Sequence, residues 1–496
     1  MKKNLLDIPV VGPLLRSPWP WRLLRPALLV LLLAMIAMGW NLHAIPAVPA
    51  RDPLMYTNFA TYLFWVLWIM GVVFVAALFG RGWCTVCPLG WMSGFITRFG
   101  LRRELPGWLQ GFLPVTIVLI TLQLAVYLTA LHRFPDYTAL LLALMVALAV
   151  LLGLIFRRRS FCLLLCPAGT VFGLYARLAP LELRVKSEAV CADCAAKPCI
   201  ATEPVVKRAT LGSKALMWRS RPEGCPVALV PAEISDSSAC TLCLNCVRTC
   251  CNDNIRISPR RFWADIKPAG LGSTESLFFL ALLGLLSANF AKVHVTLREA
   301  IFWLPEHGAK LLGWGAGGFY PLAVAWVTLL FPLLLLLPGL VVWMLLQVKV
   351  EVVGDDRSPA LPAARVRIWP VLGRQAMALL PLIMTAHIVL ALVKFNAKLG
   401  YLPLVLQDPS GVKSYLALSV MRTIPAPGVL LSLDLLKWLI AAVLVIGAAA
   451  SVWACRKVAV TADGRSDRAF LAGAVVSVLV LSALYGAVVF EWLFVR

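Results

Sequence analysis

Four cysteines, Cys240, Cys243, Cys246 and Cys250, stand two, two and three residues apart. Three thiolates that close together wrap three corners of an iron–sulfur cube, and the fourth in such a run typically reaches a neighbouring cube. Upstream lie Cys191-x2-Cys194-x4-Cys199 and, after a 25-residue insertion, Cys225-Pro226. Read by the same rule, one [4Fe–4S] cluster takes Cys191, Cys194, Cys199 and Cys250, and a second takes Cys240, Cys243, Cys246 and Cys225. Cys251 follows Cys250 where a proline would be expected, so it is an alternative to Cys250. Zinc suits C-x2-C pairs as well, but a zinc site has no need of four cysteines packed this closely.

Two further pairs occur earlier in the chain. Arg81-Gly-Trp-Cys84-Thr-Val-Cys87-Pro88-Leu-Gly90 and Arg159-Ser-Phe-Cys162-Leu-Leu-Leu-Cys166-Pro167-Ala-Gly169 both run from a basic residue through an aromatic and two cysteines to Pro-x-Gly. Each follows an apolar hairpin, so the first 180 residues read as two copies of one unit. Four thiolates brought together from Cys84, Cys87, Cys162 and Cys166 would suit copper(I), zinc or a further cluster. A dithiol relay is another use for them. The bland alternative is that these turns only end helices, which proline and glycine would do without cysteine.

These residues must be carried by a membrane protein. The chain has 496 residues, 61% of them hydrophobic and only 14% charged. The net charge of +22 would suggest nucleic acid in a soluble protein, but the basic residues sit in loops between apolar spans, where topology accounts for them. Nine segments are long and apolar enough to cross a bilayer: 27–45, 59–79, 112–131, 138–156, 275–294, 320–346 (kinked near Pro332 and Pro338), 374–394, 433–453 and 469–490. Arg16 to Arg25, Arg81 to Arg103, Arg157 to Arg159, Arg365 to Arg374 and Arg456 to Arg468 all fall on one side, the cytoplasm by the positive-inside bias. Lys398, Lys413 and Arg422 run against it. The expectation is an α-helical polytopic inner-membrane protein whose first span is an uncleaved anchor. Its N-terminus and cysteine-rich segment face the cytoplasm and its C-terminus lies outside. Three regions follow: membrane hairpins over 1–180, a ferredoxin-like segment over 181–265 and a C-terminal bundle over 266–496. Most of the fourteen cysteines thus fall in a reducing compartment, where clustered thiols indicate metal rather than disulfides.

The chain up to about Asn254 resembles the membrane-bound polyferredoxin group typified by the NapH and NosR proteins of nitrate and nitrous-oxide respiration. The shared features are the cysteine-proline hairpins at Cys84/Cys87 and Cys162/Cys166 followed by the two-cluster cysteine pattern. The resemblance implies electron transfer from the quinol pool or a cytoplasmic donor to a partner redox enzyme. The extracytoplasmic flavin domain of NosR has no counterpart here, and neither do the five C-terminal spans. A metal (copper) reductase or metalloenzyme assembly factor working through the paired cysteines is the alternative. A transporter with a structural zinc domain fits less well, because the repeat is direct and ends in cysteines rather than being inverted. The five histidines, His43, His132, His294, His307 and His387, all fall on or towards the outer side, and His387 lies inside the seventh span. With Lys394 it is the sequence's candidate for taking a proton from quinol, against a plain hydrogen-bonding role in the bundle.

Overall fold

A computed structural model describes residues 4–42, 54–195, 197–200, 205–211, 214–220, 224–292, 294–347, 368–461 and 464–491, with backbone alone at 205–211 and 214–220. His43, Arg365 and Arg367 lie outside the described residues. Eight helical runs among these are long and apolar enough to cross a membrane: Trp19–Gly39, Phe59–Ile96, Pro135–Ile155, Ser273–Ala291, Gly317–Gln347, Ile368–Gln407, Leu433–Val458 and Arg468–Phe490. The chain is therefore an α-helical, multi-pass membrane protein. The ninth expected span is the shorter helix Leu113–Thr129. Its 17 residues extend about 26 Å, a little under the ~30 Å of a hydrocarbon core. The first span begins at Trp19, earlier than expected, so Arg22 and Arg25 lie inside the helix instead of before it. Arg25 is tolerated there because it is buried and its Nε donates to the Thr85 carbonyl at 3.0 Å. In the sixth span a π-helical turn, Trp326–Leu330, immediately precedes helix Phe331–Gln347. It accommodates Pro332, whose ring cannot continue an ordinary hydrogen-bond ladder.

The chain divides into two compact units. The first comprises Met1–Leu109, His132–Asp265 and Tyr401–Ala426, and the second comprises Gln110–Leu131, Ile266–Gly400 and Pro427–Arg496.

In the first unit, Leu32, Met35, Phe64, Leu89, Leu142 and Phe161 form the membrane core. The helix ending at Phe79 breaks at Gly80, whose φ of +58° favours glycine. A Cβ on Gly80 would also stand 2.9 Å from the Ala176 Cβ. The cysteine-rich segment is built on two antiparallel strands, β1 (Leu181–Val185) and β4 (Ile255–Pro259), paired from Leu181↔Pro259 to Val185↔Ile255. This ladder brings the two ends of the segment together. Leu183, Leu244, Val247, Ile255 and Ile257 make a small core against it. The long insertion before Cys225 holds a hairpin of β2 (Val205–Leu211) and β3 (Lys214–Ser220).

The second unit packs its helices through small residues. Gly339 and Gly473 face each other across helices Phe331–Gln347 and Arg468–Phe490, each leaving no room for a Cβ beside the other's carbonyl oxygen. Close backbone approach of this kind is a main source of helix association in lipid, where burial of apolar surface gives no advantage. Gly473→Val is therefore expected to cost about 1–3 kcal/mol from overpacking, read as a lower thermal midpoint in detergent. Gly486 lies on the same helix with open space around it, so Gly486→Ala should leave the midpoint unchanged or raise it slightly. Equal effects of the two would refute the packing argument.

Candidate metal centres

The two cysteine-proline motifs fold alike for a local reason. A residue before proline is driven out of the α region, and proline is well placed to begin a helix. Cys87 (ψ 121°) and Cys166 (ψ 92°) are accordingly non-helical and stand at the N-termini of helices Pro88–Ile96 and Pro167–Ala176. The Cys166 Sγ accepts the Gly169 N–H at 3.3 Å. Each motif thus aims one thiol out of a helix break and carries a second, Cys84 or Cys162, on the short helix before it.

All four thiols come together. Cys162 is within electrostatic reach of Cys84, Cys87 and Cys166, and Cys166 is within reach of Cys84 and Cys87. The copies also exchange parts. Arg159 of the second donates from Nη1 to the Cys84 carbonyl of the first at 3.0 Å. A Cβ on Gly90 would lie 3.2 Å from the Cys162 Sγ and 3.5 Å from the Arg159 Nη1. A Cβ on Gly169 would lie 3.4 Å from the Cys166 Sγ and 3.5 Å from the Arg81 Nη2. The Pro-x-Gly glycine of each copy thus lies against the arginine of the other. Burial raises the Cys166 thiol to about 12 and the Cys162 thiol well above its ordinary value. Thiols so placed ionise only against a cation held among them.

Nine of the remaining ten cysteines, all but Cys455, fall around two cavities. One, of about 200 Å³, is lined by Cys191, Cys194, Cys199, Cys250 and Cys251. The other is lined by Cys225, Cys240, Cys243 and Cys246 and closed by Leu183, Leu229, Ile234 and Leu244. Leu242 (φ +48°) and Leu244 (φ +63°) flank Cys243 in the left-handed region. Leucine adopts that conformation at a cost of about 1–2 kcal/mol per residue, and here it wraps the loop so that its three cysteines line one cavity. Backbone strain concentrated in this way commonly marks a functional site. Burial raises Cys240 to about 12 and lifts Cys246 and Cys225 as well.

Hydrogen bonds to sulfur supply the polar part. The Cys250 Sγ accepts the Asn254 N–H at 3.3 Å, and the same residue's Nδ2 donates to the Cys191 Sγ at 3.2 Å. The Leu229 N–H donates to the Cys225 Sγ at 3.3 Å. Such bonds help set the potential of an iron–sulfur group. Cys251 is exposed, whereas Cys250 is partly covered. Among the described residues no three His, Cys, Asp or Glu side chains are gathered to hold a single metal ion. The thiols nevertheless interact electrostatically within each group. An all-thiolate donor set is the kind that holds an iron–sulfur group.

The hairpin thiols adjoin the second of these cavities. The Thr85 hydroxyl, between Cys84 and Cys87, donates to the Leu242 carbonyl at 2.9 Å. The Arg81 Nη1 donates to the Ser238 carbonyl at 3.0 Å, and the Arg159 N–H donates to the Pro226 carbonyl at 3.1 Å. Sequence reasoning did not single out Asn254 as a site residue and took Arg81 and Arg159 as repeat positions and topology markers; their shared place three residues before a cysteine was the available signal. His387 and Lys394 lie on helix Ile368–Lys398 in the second unit, whereas every cysteine but Cys455 belongs to the first. His294 caps helix Val295–Leu311 through Nδ1 and pairs with Glu491.

Residues 61–108 and 138–186 match the family model of a 4Fe-4S binding domain. Both matches fall on the cysteine-proline hairpins. The putative electron transport protein YccM of Escherichia coli (strain K12) is 27% identical over 172 residues, covering 29% of this chain and 47% of YccM. The chain thus spans about half the length of this curated relative. No solved structure matches.

Proposed function

We propose that this chain is a membrane-bound iron–sulfur electron-transfer protein of the NapH/NosR type. It takes electrons from quinol or a cytoplasmic donor and delivers them to a partner redox enzyme at the inner membrane. Cys191, Cys194, Cys199 and Cys250 hold one [4Fe–4S] cluster, and Cys225, Cys240, Cys243 and Cys246 hold a second. The observation that carries this reading is the lining of two separate cavities by those two sets of thiols. The 4Fe-4S domain matches at 61–108 and 138–186 and the electron-transport name of YccM support iron–sulfur electron transfer as the activity. Basic loops support a cytoplasmic position for both clusters. When bound, the clusters supply one-electron redox chemistry; the protein's part is to supply thiolates, N–H donors to sulfur and a dry surround.

A metal reductase is the second reading. The meeting of Cys84, Cys87, Cys162 and Cys166 beside the second cavity favours it, since a reducible copper ion bound there would adjoin an electron source.

Anaerobic purification of the full chain should give iron and acid-labile sulfide with visible absorption that bleaches on reduction. Stoichiometric zinc without iron or sulfide would end the proposal. Cys250→Ser is expected to lose one cluster and Cys251→Ser none, because only Cys250 is sheltered and bonded to Asn254. The reverse result would exchange the two in the ligand set. Bleaching by an added quinol would identify the donor, and copper titration of the reduced protein would test the second reading.

A further inference from the structure

Two guanidinium groups are buried beside the hairpin thiols with no acidic partner among the described residues. Arg81 is 7% and Arg159 is 5% exposed. The Nε of each is buried and finds no hydrogen-bond partner among the described residues. Each uses one Nη to hold a backbone carbonyl, of Ser238 and Cys84 respectively. Isolated buried charges of one sign are among the costliest groups a fold can contain. Arg81 lies within electrostatic reach of Cys84, Cys162 and Cys166, and Arg159 of Cys87 and Cys162. The repeat places both arginines three residues before a cysteine, and each lies against the Pro-x-Gly glycine of the other copy.

We propose that Arg81 and Arg159 are the paired counter-charges of an iron–sulfur group held by Cys84, Cys87, Cys162 and Cys166. This rests on the iron–sulfur reading of the chain and extends it to a third centre. Four thiolates around a four-iron core of charge +2 leave a net charge of −2, and two guanidiniums balance it. A thiol pair used only as a dithiol relay carries no such fixed charge and gives the arginines nothing to neutralise. The arginines act through charge, as positioning residues, and make the site easier to reduce. Each also faces the neighbouring set, Arg81 towards Cys240 and Arg159 towards Cys225. The Cys191, Cys194, Cys199 and Cys250 set has no such neighbour among the causes acting on Cys199, and serves as an internal reference.

The test is potentiometric titration of the anaerobically purified full chain, followed by electron paramagnetic resonance, with iron and sulfide counted. Cys162→Ser should lose one cluster's complement and its signal while two clusters remain. Arg159→Gln should keep the wild-type iron content but shift the reduction equilibrium of that signal at least tenfold towards the oxidised form, 59 mV for a one-electron couple. A smaller shift of the same sign is expected in the adjoining centre and none in the reference centre. Arg159→Lys, which keeps the charge, should stay within about threefold of wild type. Full iron content in Cys162→Ser overturns the inference and leaves the two-cluster reading standing, as does copper or zinc retained at the hairpins in place of iron. An Arg159→Lys shift as large as that of Arg159→Gln also overturns it, because shape rather than charge would then matter. Absence of iron and sulfide from the wild-type protein fails the underlying reading instead.

Discussion

Cys243→Ser is expected to strip one cluster from the protein and loosen the cysteine-rich segment, while Cys194→Ser strips the other and leaves the segment compact. The difference lies in the surroundings of the two thiols. Cys243 is buried, and Leu242 and Leu244 beside it are held in left-handed conformations. Leu244 and Cys246 belong to the small core that packs on β1 and β4. A loop strained in this way needs something to hold it, and metal binding in cysteine-dense modules is also folding free energy. Without the metal, the loop can relax and draw Leu244 out of the core. Cys194 lies on a cavity rim near exposed residues and contributes nothing to that core. Iron and sulfide analysis reads the first effect, and limited proteolysis within residues 181–265 reads the second. Unchanged iron in Cys243→Ser would remove it from the ligand set. Equal proteolysis of the two variants would refute the coupling between loop and core.

Much of the architecture could be read from the sequence because lipid simplifies the problem. Runs of twenty apolar residues have few alternatives to a spanning helix, and cysteine spacing states which thiols can meet locally. What lay beyond reach depended on contacts between distant residues. The early start of the first helix turns on Arg25, which hydropathy treats as a reason to stop; a hydrogen bond to the distant Thr85 carbonyl helps to hold it inside. The cysteine-proline repeat was visible as a repeat, yet repetition does not say that the copies exchange Arg81 and Arg159 across each other's glycines. Asn254 gave no signal, since one asparagine after a cysteine run looks like any turn residue. The helix Val295–Leu311 is amphipathic and carries Arg298, Glu299, Glu306 and Lys310, so a search for uniformly apolar segments passes over it. The assignment of 110–131 to the second unit and 401–426 to the first has no marker in composition at all.

Asp265→Ala should be the most damaging single substitution outside the cysteines, at about 3–5 kcal/mol for a broken buried ion pair. The Asp265 carboxylate pairs with Arg184 at 3.3 Å and Arg260 at 2.5 Å, and accepts the Ser237 N–H at 2.8 Å. Arg184 belongs to β1, Arg260 follows β4, and Ser237 leads into the loop that begins the Cys240 run. One carboxylate therefore ties both strands of the ladder to the loop that carries Cys240. Arg260 is also anchored to the C-terminal end of helix Pro167–Ala176, donating from Nη2 to the Ala176 carbonyl at 2.7 Å. Removing Asp265 leaves two covered guanidiniums without their counter-charge, and Ser237 without its acceptor. Asp265→Asn keeps an acceptor but not the charge, so it should fall between the wild type and the alanine variant. Asp253 provides the control: it pairs with Arg16 and Lys186 at 2.6 and 2.8 Å but is half exposed, where such pairs contribute no more than about 1 kcal/mol. Thermal denaturation of the purified protein, with cluster absorbance as the readout, should place Asp265→Ala well below Asp253→Ala. A midpoint no lower than that of Asp253→Ala would mean that β1, β4 and the loop are held together by the metal alone.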